Sequence, residues 1–123
     1  MLSYITLGVS DLAKAEAFYA ELLAPLGMKT LVKMDRIIFF GKSMSEPMLS
    51  ICIPFDESEP HPGNGNMFAL APGSKKKVDE MHALALSLGA SDEGQPGQRI
   101  PDMFYGGYFR DPDGNKGVFN YFG

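Results

Sequence analysis

The chain begins with a short segment in which apolar and polar residues alternate, followed by a longer one with a helical repeat. Residues 3–9 alternate larger apolar residues with others and are rich in β-branched types, which predicts a strand. Ser10 and Asp11 can accept hydrogen bonds from free backbone N–H groups, so they predict a helix start. Pro25 and Gly27 predict its end. Between them, one apolar stripe at three- and four-residue spacing comprises Leu12, Ala15, Phe18, Tyr19, Leu22, Leu23 and Leu26.

Three more strands and a linker are predicted to complete the first half of the chain. The strands cover residues 28–34, 36–42 and 48–54, and short polar turns separate them. Residues 55–66 are rich in proline, glycine, asparagine and acidic residues, which is typical of a linker.

The order of elements then begins again in the second half. Residues 67–71 are predicted as a strand, Ser74 as the cap of a helix, and Gly89 as its end. The apolar stripe of this helix comprises Val78, Met81, Ala85 and Leu88. The remaining segments are a weak edge strand over 90–95, an irregular loop over 98–103, and strands over 104–110 and 115–122.

Both halves therefore have the order strand, helix, three strands, and corresponding elements are separated by the same number of residues. An internal duplication of a βαβββ unit explains this pattern economically. We predict an α+β fold with mixed sheets in a single domain, residues 1–123, made of repeats at about 1–56 and 66–123 with a linker near 57–65. Each sheet would rest one face on its helix, so we expect the other faces to curl around a shared cleft.

Composition narrows the classes of partner. The formal net charge of −4 disfavours nucleic acid, whose phosphates attract clustered lysine and arginine. No stretch has the roughly 18 apolar residues of a membrane span, and the first residues lack the features of a signal peptide, so we expect a cytoplasmic protein with no membrane partner. Cys52 is the only cysteine, which excludes an internal disulfide and predicts a small buried residue.

Three segments carry a recognisable pattern: YITLGVSDLAKAEAFY at residues 4–19, PGNGNMFALA at 62–71 and YFRDPDGNK at 108–116. Together they resemble the glyoxalase, bleomycin-resistance and extradiol-dioxygenase superfamily, also called vicinal oxygen chelate. The resemblance extends over nearly the whole chain and includes the repeat.

The resemblance implies a metal site that this sequence does not reproduce. Enzymes of the superfamily typically place a His on the first strand of each half and a Glu on the last strand. These positions correspond to Tyr4, Met67 and Val118, whose side chains are poor ligands for a divalent ion. We therefore expect no metal cofactor. His61, in the linker, is expected at the surface, and His82, on the second helix, is expected to be partly buried and structural.

With Tyr4 at the ligand position that the resemblance implies, strand alternation predicts which side chains face the cleft. The residues expected there are Tyr4, Thr6, Met67, Ala69, Val118 and Asn120. Arg99, in the predicted loop, could pair with a ligand carboxylate at the mouth of the cleft. Tyr108 is a further candidate, although alternation does not determine its facing, nor that of Phe39, Met103 and Tyr105.

Three functions remain open. The leading hypothesis is a superfamily member that binds a small organic molecule in an apolar cleft without the usual metal triad. The second is an enzyme of the lyase, isomerase or dioxygenase type, similar to lactoylglutathione lyase or a dioxygenase, which uses unrecognised metal ligands or Tyr4 as an acid or hydrogen-bond donor. The third is a structural dimer without a ligand. The resemblance favours a homodimer in every case.

Overall fold

The chain is described by a computed structural model over all residues, Met1 to Gly123, and it divides into two compact units. The units are Met1–Pro62 and Gly63–Gly123. The elements are β1 (Tyr4–Gly8), α1 (Leu12–Leu23), a 3₁₀ turn (Ala24–Leu26), β2 (Lys29–Lys33), β3 (Ile37–Gly41), β4 (Met48–Cys52), β5 (Phe68–Leu70), α2 (Lys75–Ser87), β6 (Ser91–Ile100), β7 (Phe104–Arg110) and β8 (Lys116–Tyr121). The predicted α+β class with two βαβββ units is confirmed. Neither helix has the length and apolar character needed to cross a bilayer.

The first unit is a four-stranded mixed sheet with α1 on one face. The strand order is β1-β4-β3-β2, with β1 parallel to β4 and the other neighbours antiparallel. Asp11 caps α1 as predicted, because its side chain accepts a hydrogen bond from the Lys14 backbone N–H at 3.0 Å. Gly27, at φ +78°, follows the 3₁₀ turn in the left-handed conformation that glycine adopts without strain.

Apolar side chains of α1 and of the sheet form the core of this unit. The fully buried residues of α1 include Tyr19, Leu22 and Leu23. The core side chains of β3 and β4 lie at alternate positions of each strand, and they are Ile38, Phe40, Leu49 and Ile51. Because alternate residues of a strand point to opposite faces, the other set of side chains lies on the face away from α1. Cys52 is buried as a free thiol, as predicted.

The second unit repeats this arrangement. Its strand order is β5-β8-β7-β6, with β5 parallel to β8. The hydroxyl of Ser74 accepts a hydrogen bond from the Lys77 N–H at 3.1 Å and caps α2, as predicted. The core contains three phenylalanines on the α2 side: the ring of Phe109 stacks on Phe119 with centroids 5.1 Å apart and meets Phe68 edge-on at 5.9 Å.

One prediction for the second unit is wrong. The weak edge strand and the loop expected over residues 90–103 are instead one ten-residue strand, β6, that pairs with β7 as far as Ile100. The register shifts three times between Asp92 and Ile100, and these irregularities accommodate the glycines and Pro96, which is tolerated because β6 is an edge strand. Arg99 therefore lies on a strand rather than in a loop.

Candidate functional site

The face of the first sheet that is turned away from α1 carries two of the predicted site residues. Thr6 on β1 is the register partner of Ser50 on β4, which in turn is the partner of Phe39 on β3. Tyr4 lies two residues before Thr6, is 46% exposed, and meets the ring of Phe39 edge-on with centroids 4.9 Å apart. We call Tyr4, Thr6, Phe39 and Ser50 the first open face, in which Ser50 itself is fully buried.

A short chain of hydrogen bonds orients the polar groups of this face. The Ser50 hydroxyl donates to the backbone oxygen of Ile5 at 3.0 Å, so the Thr6 hydroxyl, 2.7 Å away, is the donor to Ser50. The Thr6 oxygen keeps acceptor capacity for a ligand. Ser50 was missed in the sequence because it lies within a strand buried on both faces, where alternation gives no signal.

The corresponding face of the second sheet brings together several predicted site residues. Ala69, Val118, Tyr108 and Gly94 form one row across the sheet as successive register partners. Asn120 lies two residues after Val118 on the same strand; Val118 is fully buried and Asn120 is 3% exposed. Met67, which directly precedes β5, is 45% exposed.

Two cations lie against the Tyr108 ring. The guanidinium carbon of Arg99 is 5.4 Å from the ring centroid, and the Lys116 ammonium is 5.5 Å from it. Lys116 was missed, although alternation could have found it, because it lies two residues before Val118 on β8 and so shares its face. We call Ala69, Arg99, Tyr108, Lys116, Val118 and Asn120 the second open face.

Tyr105 belongs to the other side of the sheet. Its hydroxyl donates to the Asp79 carboxylate of α2 at 2.6 Å, and the Lys75 ammonium is 5.7 Å from its ring centroid. The hydrogen bond to Asp79 raises the pKa of Tyr105 above its usual value, with smaller contributions from burial and from the negative charge of Asp79. The positive charge of Arg99 lowers the pKa of Tyr105 and so partly offsets this increase.

Beneath Tyr108, a buried histidine joins three elements. The Nε2 of His82 on α2 is 3.0 Å from both Asp92 Oδ1 on β6 and the backbone oxygen of Tyr108 on β7. Both partners are acceptors, so we assign the proton to Nε2. His82 is 2% exposed, so it is more deeply buried than the partial burial predicted for it. His61 is exposed, as predicted.

The same network holds the pKa of Asp92 below its usual value. The largest cause is the hydrogen bond that the Gly94 N–H donates to Oδ1 at 3.0 Å, and burial opposes it. The side chain of Gln95, which donates to Oδ2, and His82 lower the pKa further. Through these hydrogen bonds Asp92 connects the irregular part of β6 to His82 on α2.

The three positions that correspond to the superfamily's metal ligands do not fit a divalent ion. Tyr4 offers a neutral phenol, Met67 a thioether, and Val118 a fully buried alkyl group. Nowhere along Met1 to Gly123 do three or more His, Cys, Asp or Glu side chains come together in a way that could hold a metal ion.

The chain is similar to known proteins both in sequence and in fold. Residues 1–119 match the family described as Glyoxalase/Bleomycin resistance protein/Dioxygenase superfamily. A glyoxalase/bleomycin resistance protein from Albidiferax ferrireducens T118 is 32% identical, with a TM-score of 0.87 over 98% of this chain and 97% of that one. A lactoylglutathione lyase from Agrobacterium tumefaciens is 26% identical, with a TM-score of 0.71 over 98% and 92% of the two chains.

A more distant structure shows the same fold. A glyoxalase-related enzyme from Fulvimarina pelagi is 20% identical, with a TM-score of 0.77 over 98% of this chain and 86% of that one. A search of curated protein sequences finds no match. The family match over almost the whole chain and the 32% identity with the first structure lead to one conclusion: the chain belongs to the glyoxalase/bleomycin resistance protein/dioxygenase superfamily.

Proposed function

We propose that this protein binds a small organic molecule on its open sheet faces without the His/His/Glu metal triad of the superfamily. The observation that carries the proposal is the composition of the second open face. The exposed Ala69 and the half-buried ring of Tyr108 supply apolar surface, and the fully buried Val118 lies between them in the same row. A few polar groups on this face would set the orientation of a ligand, as is typical of small-molecule sites.

We propose that no metal takes part because the side chains at the three ligand positions are poor metal ligands. A phenol, a thioether and an alkyl group at Tyr4, Met67 and Val118 would leave a divalent ion without competent ligands. Ligand binding by this protein is therefore expected to be the same with and without a chelator. A divalent ion found bound at these positions by elemental analysis and crystallography would contradict this part of the proposal.

A thermal-shift screen of small aromatic and aliphatic molecules tests binding, since a ligand that binds only the folded protein raises its melting temperature. Ala69→Phe should abolish the shift, because Ala69 is exposed and a larger side chain there would cover the second open face. Ala20→Phe, at an exposed position of α1, is the matched control and should keep the shift. Equal shifts in both variants would exclude the second open face as the site.

An enzymatic function is the second candidate, favoured by the 26% identity with a lactoylglutathione lyase. Tyr4, half exposed on the first open face, would act as an acid or hydrogen-bond donor, since an ordinary phenol is a poor base near neutral pH. The test is an assay for S-lactoylglutathione formation. If activity is present, Tyr4→Phe should lower kcat about 10²-fold. Unchanged turnover in this variant would remove the role of Tyr4.

We also propose that the protein forms a homodimer. Its second unit has an apolar patch, here called the C-terminal patch, made of the exposed Ile100, Met103 and Phe122 and the half-buried Phe104. The rings of Phe104 and Phe122 lie 5.8 Å apart, and Ile100 is the register partner of Phe104. Exposed patches of this kind often mark protein interfaces. A dimer that binds no ligand is the third candidate, and the screen above tests it.

A further inference from the structure

We propose that the second open face has an anion subsite, formed by Arg99 and Lys116 against the Tyr108 ring, and that the ligand is an apolar organic carboxylate. This inference rests on the proposed small-molecule function and specifies the chemical class of the ligand.

The backbone of β6 positions the Arg99 guanidinium. One of its N–H groups donates to the Gln95 backbone oxygen. A Cβ atom built at Gly97 would lie 2.8 Å from Arg99 Nη1, and one built at Gly94 would lie 3.3 Å from Nη2. The guanidinium therefore lies where a side chain at residue 97 would clash with it and one at residue 94 would crowd it. Such packing reduces the conformational entropy that Arg99 would lose on binding an anion.

Neither cation is neutralised within the protein. The ion pairs that lysine and arginine form in the structure are Lys33–Glu16, Lys76–Glu80 and Arg110–Glu93, and none includes Arg99 or Lys116. Among the acidic side chains near Arg99 in sequence, Asp92 bonds to His82 and Glu93 to Arg110, and the exposed Asp102 forms no ion pair with Arg99. Two unpaired cations on one ring leave a local excess of positive charge in a protein whose net charge is −4.

The chemistry around the two cations favours a carboxylate with an apolar body. A guanidinium has five N–H donors, and the one bond to Gln95 leaves donors for a carboxylate. The same row of the sheet continues from Tyr108 past the buried Val118 to the exposed Ala69, which offers contact to a hydrocarbon or aromatic group but no further charge. The ligand would thus place its anion at Arg99 and Lys116 and its apolar part toward Ala69.

Two probe molecules with the same apolar ring system, one charged and one neutral, test how much the negative charge of the ligand contributes to binding. We would measure the binding of 2-naphthoate and of the neutral 2-naphthamide to the full chain by amide chemical-shift titration. Naphthoate is expected to bind at least tenfold more tightly, because hydrogen bonds to a charged group contribute more than neutral ones. Arg99→Gln and Lys116→Gln should each weaken naphthoate binding several-fold and leave naphthamide binding unchanged. Lys77→Gln, an exposed lysine on α2, is the control and should change neither.

A second variant tests the positioning of Arg99 without removing its charge. In Gly97→Ala the new methyl group would displace the guanidinium, so naphthoate binding should weaken while naphthamide binding stays the same. The melting temperature of each variant is measured alongside, to show that the protein is folded.

The outcomes distinguish the two proposals. If both probes bind equally and Arg99→Gln and Lys116→Gln affect neither, the anion subsite is wrong and the small-molecule function stands. If the amide binds and naphthoate does not, the inferred charge preference is also overturned. If neither probe binds at millimolar concentration while other molecules raise the melting temperature, only the carboxylate class fails. If nothing binds in either experiment, both proposals fail.

Discussion

At the scale of single residues, Tyr108 connects the core of the second unit with its open face. Its backbone oxygen accepts a hydrogen bond from the buried His82, while its ring lies against Arg99 and Lys116. The sequence does not show to which face of the sheet the Tyr108 side chain points, because the glycines around it give no alternating apolar pattern. The register of β7 against β8 decides it by pairing Tyr108 with Val118.

Asp92 makes folding stability depend on pH. Its pKa is lower in the folded state than the usual value of about 3.9, so its contribution is fully present above that pH and is lost as pH falls through the folded pKa. We expect Asp92→Asn to be less stable than the wild type at pH 7, and the difference to shrink below about pH 4. Urea unfolding of both proteins from pH 7 to pH 2.5 measures this difference in stability.

The control for this prediction is Asp35→Asn, which removes one negative charge at an exposed turn. A stability difference for Asp92→Asn that stays constant over the whole pH range would contradict the proposed linkage.

Gly117 is required by the aromatic core of the second unit. A Cβ atom at this position would lie 2.5 Å from the Phe109 ring and 2.7 Å from the Phe68 ring. We expect Gly117→Ala to lower the free energy of unfolding by about 1–3 kcal/mol through overpacking. Adding Phe109→Leu should cost less in this variant than in the wild type, because the methyl group then gains space. Strictly additive losses in urea unfolding would argue against this mechanism.

At the scale of elements, the helices follow from local sequence and β6 does not. Asp11 and Ser74 begin α1 and α2 because each side chain satisfies a free N–H three residues later. Such contacts span a single turn, so the sequence predicts them. Residues 94–97 contain two glycines and a proline and resemble a loop in isolation. Pairing with β7, which joins Gly94 to Tyr108 and Gly97 to Gly106, makes them part of a strand.

The two caps provide a matched pair of tests. Asp11→Ala and Ser74→Ala should each lower the free energy of unfolding by about 1 kcal/mol. Ser87→Ala is the control: its exposed hydroxyl donates to the Leu84 backbone oxygen at 2.7 Å near the end of α2, where it satisfies no orphan N–H. Chemical denaturation measures all three. Equal effects of Ser74→Ala and Ser87→Ala would contradict the capping role.

At the scale of the whole molecule, the proposed homodimer gives a direct prediction. We expect the protein to sediment as a dimer at micromolar concentration. Phe122→Lys should shift it toward the monomer, because Phe122 is 75% exposed in the C-terminal patch and a charge there would oppose burial. Met44→Lys, at an exposed position of the first unit, should leave the dimer intact. A monomeric wild type would overturn the proposal, and equal effects of both variants would place the interface elsewhere.

The sequence alone determined the α+β class, the repeated βαβββ order, the superfamily and the two helix caps. These features depend on local periodicity, on short-range hydrogen bonds and on motifs, all of which lie along the chain. Only the tertiary structure decided that β6 extends to Ile100, that His82 bonds to Tyr108, and that Arg99 and Lys116 meet on one ring. These contacts depend on strand register between distant segments, where a shift of one residue would turn every side chain to the other face of the sheet.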